Sequence, residues 1–183
     1  DGSVLPRRSG VSDEPLRTGA LPLQAPDSLA ATVQLPHAGT VRGTALGAGV
    51  TVIVGGGYHG KSTLLRSLSK VLPPRSGTVL LDGKEIAGMR PKAFAREVGF
   101  LAQSSIAPEG ITVHELVSRG RYPYQSVLHQ WSDEDDEQVS TAMERTNVSA
   151  LATRRVAELS GGQRQRVWIA MALAQQTRVL LLD

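Results

Sequence analysis

Short apolar runs alternate with amphipathic stretches along the first half of the chain, which predicts alternating strands and helices. Residues 29–35 are apolar and β-branched, which predicts a strand. Residues 50–54 form a second run without any charged residue, as expected for a parallel strand buried on both faces. Residues 60–72 place four leucines and a valine on one face, which predicts a helix that ends before two prolines.

The rest of the chain continues this alternation, with a helical block in the middle. Residues 78–86 contain Asp-Gly between two short runs, which predicts a tight hairpin, and residues 98–101 predict a strand. Thr112 and Glu115 have the spacing of a capping box, and Ser132 begins a helix with an acidic first turn. A further helix is predicted over residues 161–174 and a final strand over residues 179–182. The pattern predicts an α/β core with an inserted helical subdomain.

Composition limits the class of protein and the kinds of site. The chain has 183 residues and a net charge of +3 with its basic residues dispersed, which indicates one globular domain and does not favour nucleic acid. There is no cysteine, which excludes disulfides and thiolate metal sites, and the four histidines are scattered. No apolar run approaches the roughly 20 residues of a membrane span, and no secretion leader is expected.

Residues 55–62 read GGGYHGKS and match the phosphate-loop pattern G-x-x-x-x-G-K-[ST], between a predicted strand and a predicted helix. In such a loop, backbone N–H groups hold phosphate oxygens, the lysine reaches the β- and γ-phosphates, and the hydroxyl ligates Mg²⁺. The alternative is a chance glycine turn before a helix. The residues predicted to contact the nucleotide here are Gly55, Gly56, Gly57, Tyr58, His59, Gly60, Lys61, Ser62 and Thr63.

Residues 159–163 read LSGGQ, and together with the earlier phosphate loop they resemble ABC-type ATPases from about residue 48 onward. The resemblance implies that ATP is bound between two subunits arranged head to tail. In that arrangement Ser160, Gly161, Gly162 and Gln163 of one subunit contact the γ-phosphate on the other, at a helix N-terminus. Taken alone, the Ser-Gly-Gly turn would also fit an ordinary helix N-cap.

Two further positions match the same family. The resemblance implies that Gln103, after the strand at 98–101, contacts Mg²⁺ and transmits the nucleotide state to the helical subdomain. It also implies that Asp183 holds Mg²⁺ through water, so the expected cofactors are ATP and Mg²⁺ and the expected metal ligands are Ser62, Gln103 and Asp183. Gln103 and Ser160 are the expected catalytic residues. The alternative for Gln103 is a glutamine without a functional role. The alternative for Asp183 is a strand that merely ends in a polar residue.

The chain departs from the family pattern in three ways. Tyr58 and His59 stand where small residues are usual, and no aromatic residue precedes Tyr58, so adenine is expected to be held by apolar contacts or, less simply, by Tyr58. The family places a water-polarising glutamate directly after the position of Asp183 and a γ-phosphate-contacting histidine further on. Because neither follows in this sequence, the fold is expected to be C-terminally truncated, and the ATPase activity that the family implies is expected to be slow.

Residues 76–183 resemble the ATP-binding subunits of iron-siderophore and vitamin B12-type importers, through APEGITV at 107–113, RGRYP at 119–123 and the run at 160–173. This implies a membrane permease as partner, gripped by the helical subdomain, and a cytoplasmic position on the inner face of the membrane. Tyr122 and Tyr124 are the interface candidates.

Residues 1–65 instead resemble soluble ABC-class ATPases that are not tied to transport and for which RNA-linked roles have been proposed, with a junction near the phosphate-loop helix. No platform of aromatic and basic residues supports RNA binding, so nucleic acid is not expected as a partner. Two alternatives to an importer subunit remain, a non-transport ATPase with an RNA-linked role and an inactive nucleotide-binding fragment.

The predicted organisation has four segments. They are an irregular, proline-containing arm at 1–28, the phosphate-loop core at 29–103, the helical subdomain at 104–158, and the signature helix with the Mg²⁺-site strand at 159–183.

Overall fold

The computed structural model describes residues 3–9, 12–35, 39–55, 59–126 and 131–183. Its residues divide into two compact units, Asp1–Gly88 and Met89–Asp183. This division does not test the four functional segments expected from the sequence, which stay a prediction.

The first unit begins with two antiparallel strand pairs. β1 (Arg7–Ser9) pairs with β2 (Ser12–Pro15) inside the arm that the sequence predicted to be irregular. β3 (Ala30–Leu35) confirms the predicted strand and pairs with β4 (Gly39–Thr44) over six residues in unbroken register. β4 was not predicted, because its sequence GTVRGT has two glycines and one large apolar residue.

The predicted strand at residues 50–54 is wrong for this structure. Residues 51–55 have no regular secondary structure, and the side chains of Val50, Val52 and Val54 are 96%, 76% and 84% exposed. A strand forms only where a neighbouring strand accepts its hydrogen bonds. The described strands form four two-stranded sheets, and none of them pairs with this run.

α1 (Lys61–Leu68) is the predicted phosphate-loop helix, but it ends four residues earlier than the apolar pattern indicated. Lys70 adopts a left-handed conformation with φ of 62°, and the Val71 N–H donates to the Arg66 carbonyl over 3.0 Å. A left-handed residue with this backward hydrogen bond is a common way to end a helix. Val71 is therefore 61% exposed and is not part of a helical face.

The predicted hairpin is confirmed as β5 (Leu80–Leu81) and β6 (Lys84–Glu85). Its turn residues Asp82 and Gly83 have φ of 48° and 76°. Positive φ at both positions is what the tightest hairpin turn requires, and Asp-Gly supplies it at low cost.

The second unit contains most of the regular structure and one three-helix core. In chain order its elements are α2 (Pro91–Glu97), β7 (Val98–Leu101), α3 (Val113–Ser118), a 3₁₀ segment (Arg119–Tyr124), α4 (Asp133–Arg145), α5 (Gly161–Ala174) and β8 (Val179–Leu182). The strands and helices predicted in this region of the sequence are confirmed, with ends that agree to within a residue or two.

Capping boxes begin α3, α4 and α5, whereas α2 begins with a proline and has no side-chain cap. Thr112 accepts from the Glu115 N–H over 3.3 Å, while the Glu115 carboxylate accepts from the Thr112 N–H over 2.8 Å. Ser132 and Asp135 exchange the same two bonds at the start of α4. The third box, at the start of α5, belongs to the candidate site. Each box satisfies orphan N–H groups of the first turn, which is why these helices start where the sequence indicates.

The core of the second unit lies between α3, α4 and α5. It is built from aliphatic side chains and alanines that are almost fully buried. Its members are Ile111, Val113, Leu116, Val117, Val139, Ala142, Met143, Val148, Val156, Leu159, Val167, Ala170 and Ala174.

β7 and β8 form a parallel pair, in register from Val98 opposite Val179 to Leu101 opposite Leu182. Gly99 permits this pairing, because a Cβ there would lie 2.9 Å from the Thr177 hydroxyl. All three core helices lie in the crossover between the two strands. Among the described residues, no helix is long and apolar enough to cross a membrane.

Candidate nucleotide-binding site

The phosphate loop is described at its two ends. Gly55, His59 and Gly60 flank Gly56, Gly57 and Tyr58, which lie outside the described residues. The Lys61 ammonium donates a hydrogen bond back to the Gly55 carbonyl, so the lysine side chain folds across the base of the loop. The Lys61 side chain therefore contacts the residue at which the motif begins.

Gly60 is required at the loop's end for two reasons. Its φ is 84°, which L side chains rarely adopt, and a Cβ there would lie 2.5 Å from the Leu5 carbonyl carbon. The sequence accounted for Gly60 as a motif residue only. The contact with Leu5 shows that the N-terminal arm lies against the end of the phosphate loop, which no pattern in the arm indicated.

The first turn of α1 follows directly. Lys61, Ser62 and Thr63 are half-buried there, and the Leu64 N–H donates to the Gly60 carbonyl over 3.0 Å. Gly60 is the N-cap residue, and no side chain caps the helix. The first N–H groups of a helix lack intrahelical acceptors and carry the positive end of its dipole. This turn is therefore suited to bind an anion.

The second unit places Gln103 and Asp183 at the ends of neighbouring strands. β7 ends at Leu101, two residues before Gln103, and β8 ends at Leu182, directly before Asp183. The Asp183 N–H donates to the Leu101 carbonyl over 3.0 Å, which extends the ladder by one step. Because the strands are parallel, their carboxyl ends meet at one edge of the sheet, where ligands bind in open α/β sheets.

Ser160 begins α5 as both a cap and an exposed turn. Its hydroxyl accepts from the Gln163 N–H over 3.3 Å, and the Gln163 side-chain oxygen accepts from the Ser160 N–H over 3.0 Å. Gly161 and Gly162 are exposed, and a Cβ on either would meet nothing within 4 Å. The ordinary N-cap and the anion-binding turn are thus compatible, because the cap uses only one of the first N–H groups.

Tyr122 and Tyr124, expected together at a permease interface, differ in the structure. Tyr122 is 63% exposed. Tyr124 is half-buried, and its hydroxyl donates to the Gln175 carbonyl over 2.9 Å while its ring lies 3.9 Å from the Arg121 guanidinium. Tyr124 therefore has a structural partner directly after α5, whereas Tyr122 has the exposure expected of an interface residue.

The candidate metal ligands are a hydroxyl, an amide and a carboxylate. Hard oxygen ligands of this kind suit Mg²⁺, which keeps several waters and binds through few protein groups plus phosphates. Within the described ranges, no three His, Cys, Asp or Glu residues form a metal-holding group. Gln103 and Asp183 in the second unit, and Ser62 in the first, are each of the ligand type that suits an ion arriving with a nucleotide.

A buried ion pair near α5 was missed from the sequence. The Arg121 Nε donates to the Asp135 Oδ1 over 2.7 Å, and both side chains are 2% exposed. The sequence indicated only that this helix has an acidic first turn, with nothing to distinguish Asp135 from its neighbours. The signal available was its position three residues after Ser132, where a carboxylate turns back toward the cap.

Comparison with known proteins shows the family of the chain. Residues 44–183 match the ABC transporter family, which is more than half of the chain. The chain belongs to this family. It is 54% identical over 134 residues to a protein of Bacillus subtilis (strain 168) described as a probable siderophore transport system ATP-binding protein, which covers 73% of this chain and 49% of that protein.

It is also 52% identical over 133 residues to the ferric enterobactin transport ATP-binding protein of Escherichia coli (strain K12), covering 73% of this chain and 49% of that protein. Among solved structures it is similar to cbiO1 of Clostridium perfringens, part of the ABC transporter complex cbiONQ. The TM-score is 0.61 at 27% identity, over 85% of this chain and 64% of that one.

The chain spans about half the length of the curated relatives it matches. These relatives confirm the family resemblance and the fold class expected from the sequence. They are named for transport, so they do not favour the RNA-linked alternative.

Proposed function

We propose that the chain binds MgATP as the ATP-binding subunit of an importer, with an iron–siderophore complex as the imported substrate. The observation that carries the proposal is the parallel pairing of β7 and β8, which brings the Gln103 and Asp183 ends of two strands to one sheet edge. The exposed Ser160 turn at the start of α5, in the same unit as these strands, is a candidate anion-binding element in addition to the first turn of α1.

In the proposed mechanism, ATP binding replaces an internal contact. The Lys61 ammonium leaves the Gly55 carbonyl and pairs with the β- and γ-phosphates, while the first turn of α1 donates N–H groups. The Ser160 turn of a second copy of the chain then contacts the γ-phosphate, so that ATP holds two copies together head to tail. Mg²⁺, held by Ser62, Gln103 and Asp183, would offset phosphate charge.

The substrate and the partner are proposed from the relatives. The two curated relatives are named for siderophore transport and ferric enterobactin transport. We propose that residues 104–158 dock on a membrane permease through Tyr122, which would place the chain on the inner face of the membrane. Co-purification with a permease and uptake of a radiolabelled ferric siderophore would support this, whereas salt-sensitive RNA binding without permease binding would contradict it.

Nucleotide binding is tested by titration calorimetry with MgATP. Lys61→Ala should weaken affinity by about tenfold or more, since a charge-assisted contact to phosphate is lost. Lys84→Ala, an exposed lysine in the β5–β6 hairpin, is the matched control and should bind as the unchanged chain does. Equal affinity of all three proteins would exclude the phosphate loop as the binding site.

Sharing of the site is tested by mixing. A homodimer of Lys61→Ala chains or of Ser160→Ala chains has a substitution in both of its sites. In the mixed dimer both substitutions fall in one site, and the other site is unchanged. ATP-driven association, measured by sedimentation velocity, should therefore be greater for the mixture than for either variant alone. A mixture that associates no better than its components would contradict a shared site.

Hydrolysis is proposed from the family. Phosphate release that disappears with Lys61→Ala would assign turnover to this site. The slow turnover expected from the sequence stays a prediction, and steady rapid release would show that it is wrong.

A further inference from the structure

α5 joins two parts of the proposed site. Its first turn carries Ser160 and the two exposed glycines, and its last turn leads through residues 175–178 into β8 and Asp183. Five residues gather around the last turn, and we call them the α5 clamp. They are Gly120, Arg121, Tyr124, Asp135 and Gln175.

Arg121 is the centre of the clamp. Its Nε donates to the Asp135 carboxylate over 2.7 Å, and its Nη1 donates to the Ala174 carbonyl over 3.0 Å and to the Gln176 side-chain oxygen over 3.1 Å. The last carbonyls of a helix lack intrahelical partners and carry the negative end of the dipole. A buried guanidinium therefore binds the end of α5 by both charge and directed hydrogen bonds.

Asp135 holds Arg121 in this orientation. It lies in the first turn of α4, where its second oxygen accepts from the Ser132 N–H over 3.1 Å and from the Ser132 hydroxyl over 3.0 Å. Burial acts to raise the pKa of Asp135, but the hydrogen bonds from Arg121 and Ser132 outweigh it and keep that pKa below its usual value. The carboxylate is thus ionised and fixed in place.

The neighbouring contacts bring the backbones together. A Cβ at Gly120 would overlap the Met171 carbonyl oxygen and lie 3.2 Å from the Gln175 N–H nitrogen, so the 3₁₀ segment packs directly on α5. The Tyr124 hydroxyl donates to the Gln175 carbonyl over 2.9 Å. These contacts leave the end of α5 little freedom to move.

Gln175 extends the clamp to the other strand. Its side-chain nitrogen donates over 2.6 Å to the Ala95 carbonyl in α2, and α2 continues without a break into β7. β7 ends two residues before Gln103. The same clamp therefore links the helix that carries Ser160 with both strands that lead to Gln103 and Asp183.

A helix amplifies small rotations at a fixed end. α5 has 14 residues, and a helix of that length is about 21 Å long. A tilt of about 10° at its last turn would move its first turn by about 4 Å, more than a hydrogen bond tolerates. The packing of α5 in the core resists such a tilt, and the directed bonds of the clamp add contacts that fix the orientation of its last turn.

We propose that Arg121 is a positioning residue, which by holding the last turn of α5 sets where the Ser160 turn points relative to the strand ends at Gln103 and Asp183. This inference rests on the proposed nucleotide function for its role in catalysis, but the positioning itself is a property of the fold. A buried ion pair is weak evidence of a stability role, since apolar residues can often replace it without loss.

The experiment compares four variants of the chain. Arg121→Met removes the clamp, and Arg121→Lys keeps the charge but not the planar fork. Arg119→Met is the matched control, because Arg119 is an exposed arginine in the same 3₁₀ segment. The double variant Arg121→Met, Asp135→Leu removes the pair without leaving a buried carboxylate, and it can be measured if Arg121→Met does not fold.

Hydrogen exchange by mass spectrometry is the primary measurement. In Arg121→Met and in the double variant, the hydrogen-bonded amides of residues 163–167 should exchange about tenfold faster than in the unchanged chain, with Arg121→Lys between them. In Arg119→Met, these amides should exchange at the same rate as in the unchanged chain. Acceleration confined to residues 119–124 and 174–178, or spread evenly over Met89–Asp183, would overturn the proposal. So would full restoration of slow exchange at residues 163–167 in the double variant.

ATP-driven association distinguishes this inference from the proposed function. Arg121→Met should bind MgATP within about twofold of the unchanged chain but associate about tenfold more weakly, because only the turn contributed to the partner is misplaced. If Arg121→Met and the unchanged chain associate equally with ATP, the proposed role of Arg121 in the shared site is overturned. If the unchanged chain does not associate with ATP, the shared site fails, and the exchange measurement still decides whether Arg121 positions the turn.

Discussion

Single residues determine where charge is held in this chain. Asp135 is a buried carboxylate kept ionised by Arg121 and Ser132, whereas its neighbours Asp133, Glu134 and Asp136 in the same turn are exposed. The acidic run looks uniform along the sequence. The structure separates one member from the others because only Asp135 faces a buried guanidinium.

The lowered pKa of Asp135 predicts a specific pH dependence of stability. The folded state binds this proton less readily than the unfolded state, so the pair stabilises the fold above the unfolded pKa. That contribution should be lost as the pH falls below about 4, toward the folded pKa. Asp135→Asn should lower the thermal midpoint at pH 7 and flatten its dependence between about pH 5 and pH 2.

Asp133→Asn is the control for this measurement, since Asp133 is exposed in the same turn. Its midpoint should follow the pH as the unchanged chain does. A pH profile of Asp135→Asn that parallels the unchanged chain would show that other carboxylates cause the acid sensitivity.

The signature glycine Gly162 predicts a separation of folding from binding. Nothing lies within 4 Å of a Cβ at this position, and alanine is a better helix former by up to about 1 kcal/mol. Gly162→Ala should therefore keep or raise the thermal midpoint, while its methyl group covers the helix N-terminus and weakens ATP-driven association. Gly43→Ala in β4, which also has open space, should change neither property. A lower thermal midpoint for Gly162→Ala would mean that other groups of the protein pack against this turn.

At the scale of the secondary-structure elements, the starts of helices depend on residues that are close together in the sequence. α3, α4 and α5 each begin at a capping box whose two members are three residues apart, so these starts could be predicted from the sequence. The end of α1 could not, because it depends on Lys70 adopting a left-handed conformation that its residue type does not favour.

The close packing of the 3₁₀ segment on α5 predicts that a substitution at Gly120 destabilises the fold. Alanine there would overlap the Met171 carbonyl oxygen, and backbone atoms cannot turn away as side chains can. Gly120→Ala should lower the free energy of unfolding by roughly 1–3 kcal/mol, as overpacking does elsewhere. Chemical denaturation monitored by circular dichroism measures this. Gly161→Ala, on the open turn of the same unit, is the control and should be near neutral. A neutral Gly120→Ala would mean that the 3₁₀ segment does not pack closely on α5.

At the scale of the whole molecule, the two units differ in how much apolar surface they bury. Among the described residues, the large core cluster lies in Met89–Asp183, while the buried apolar residues of Asp1–Gly88 are Leu65 and Ile86. The apolar run at 50–54 lies in the first unit and is exposed. Exposed apolar runs of β-branched residues favour association between chains.

The exposure of Val52 predicts the result of a charge substitution. Because the side chain is 76% exposed, Val52→Lys should change the free energy of unfolding by no more than about 0.5 kcal/mol, and it should reduce light scattering at high protein concentration. Leu116→Lys, in the core, is the opposite control and should unfold the second unit. A large loss of stability with Val52→Lys would indicate that residues 50–54 form the buried strand that the sequence predicts.

The sequence by itself determined the motifs, the helix starts and the family, because each depends on residues that are adjacent or a few positions apart. The phosphate loop, the Ser-Gly-Gly turn and the capping boxes are of this kind. Only the tertiary structure decided that residues 50–54 lack a strand partner, that Tyr124 donates a hydrogen bond at the end of α5, and that Arg121 and Asp135 form a buried pair. Those outcomes depend on contacts between distant parts of the chain, and local patterns do not specify such contacts.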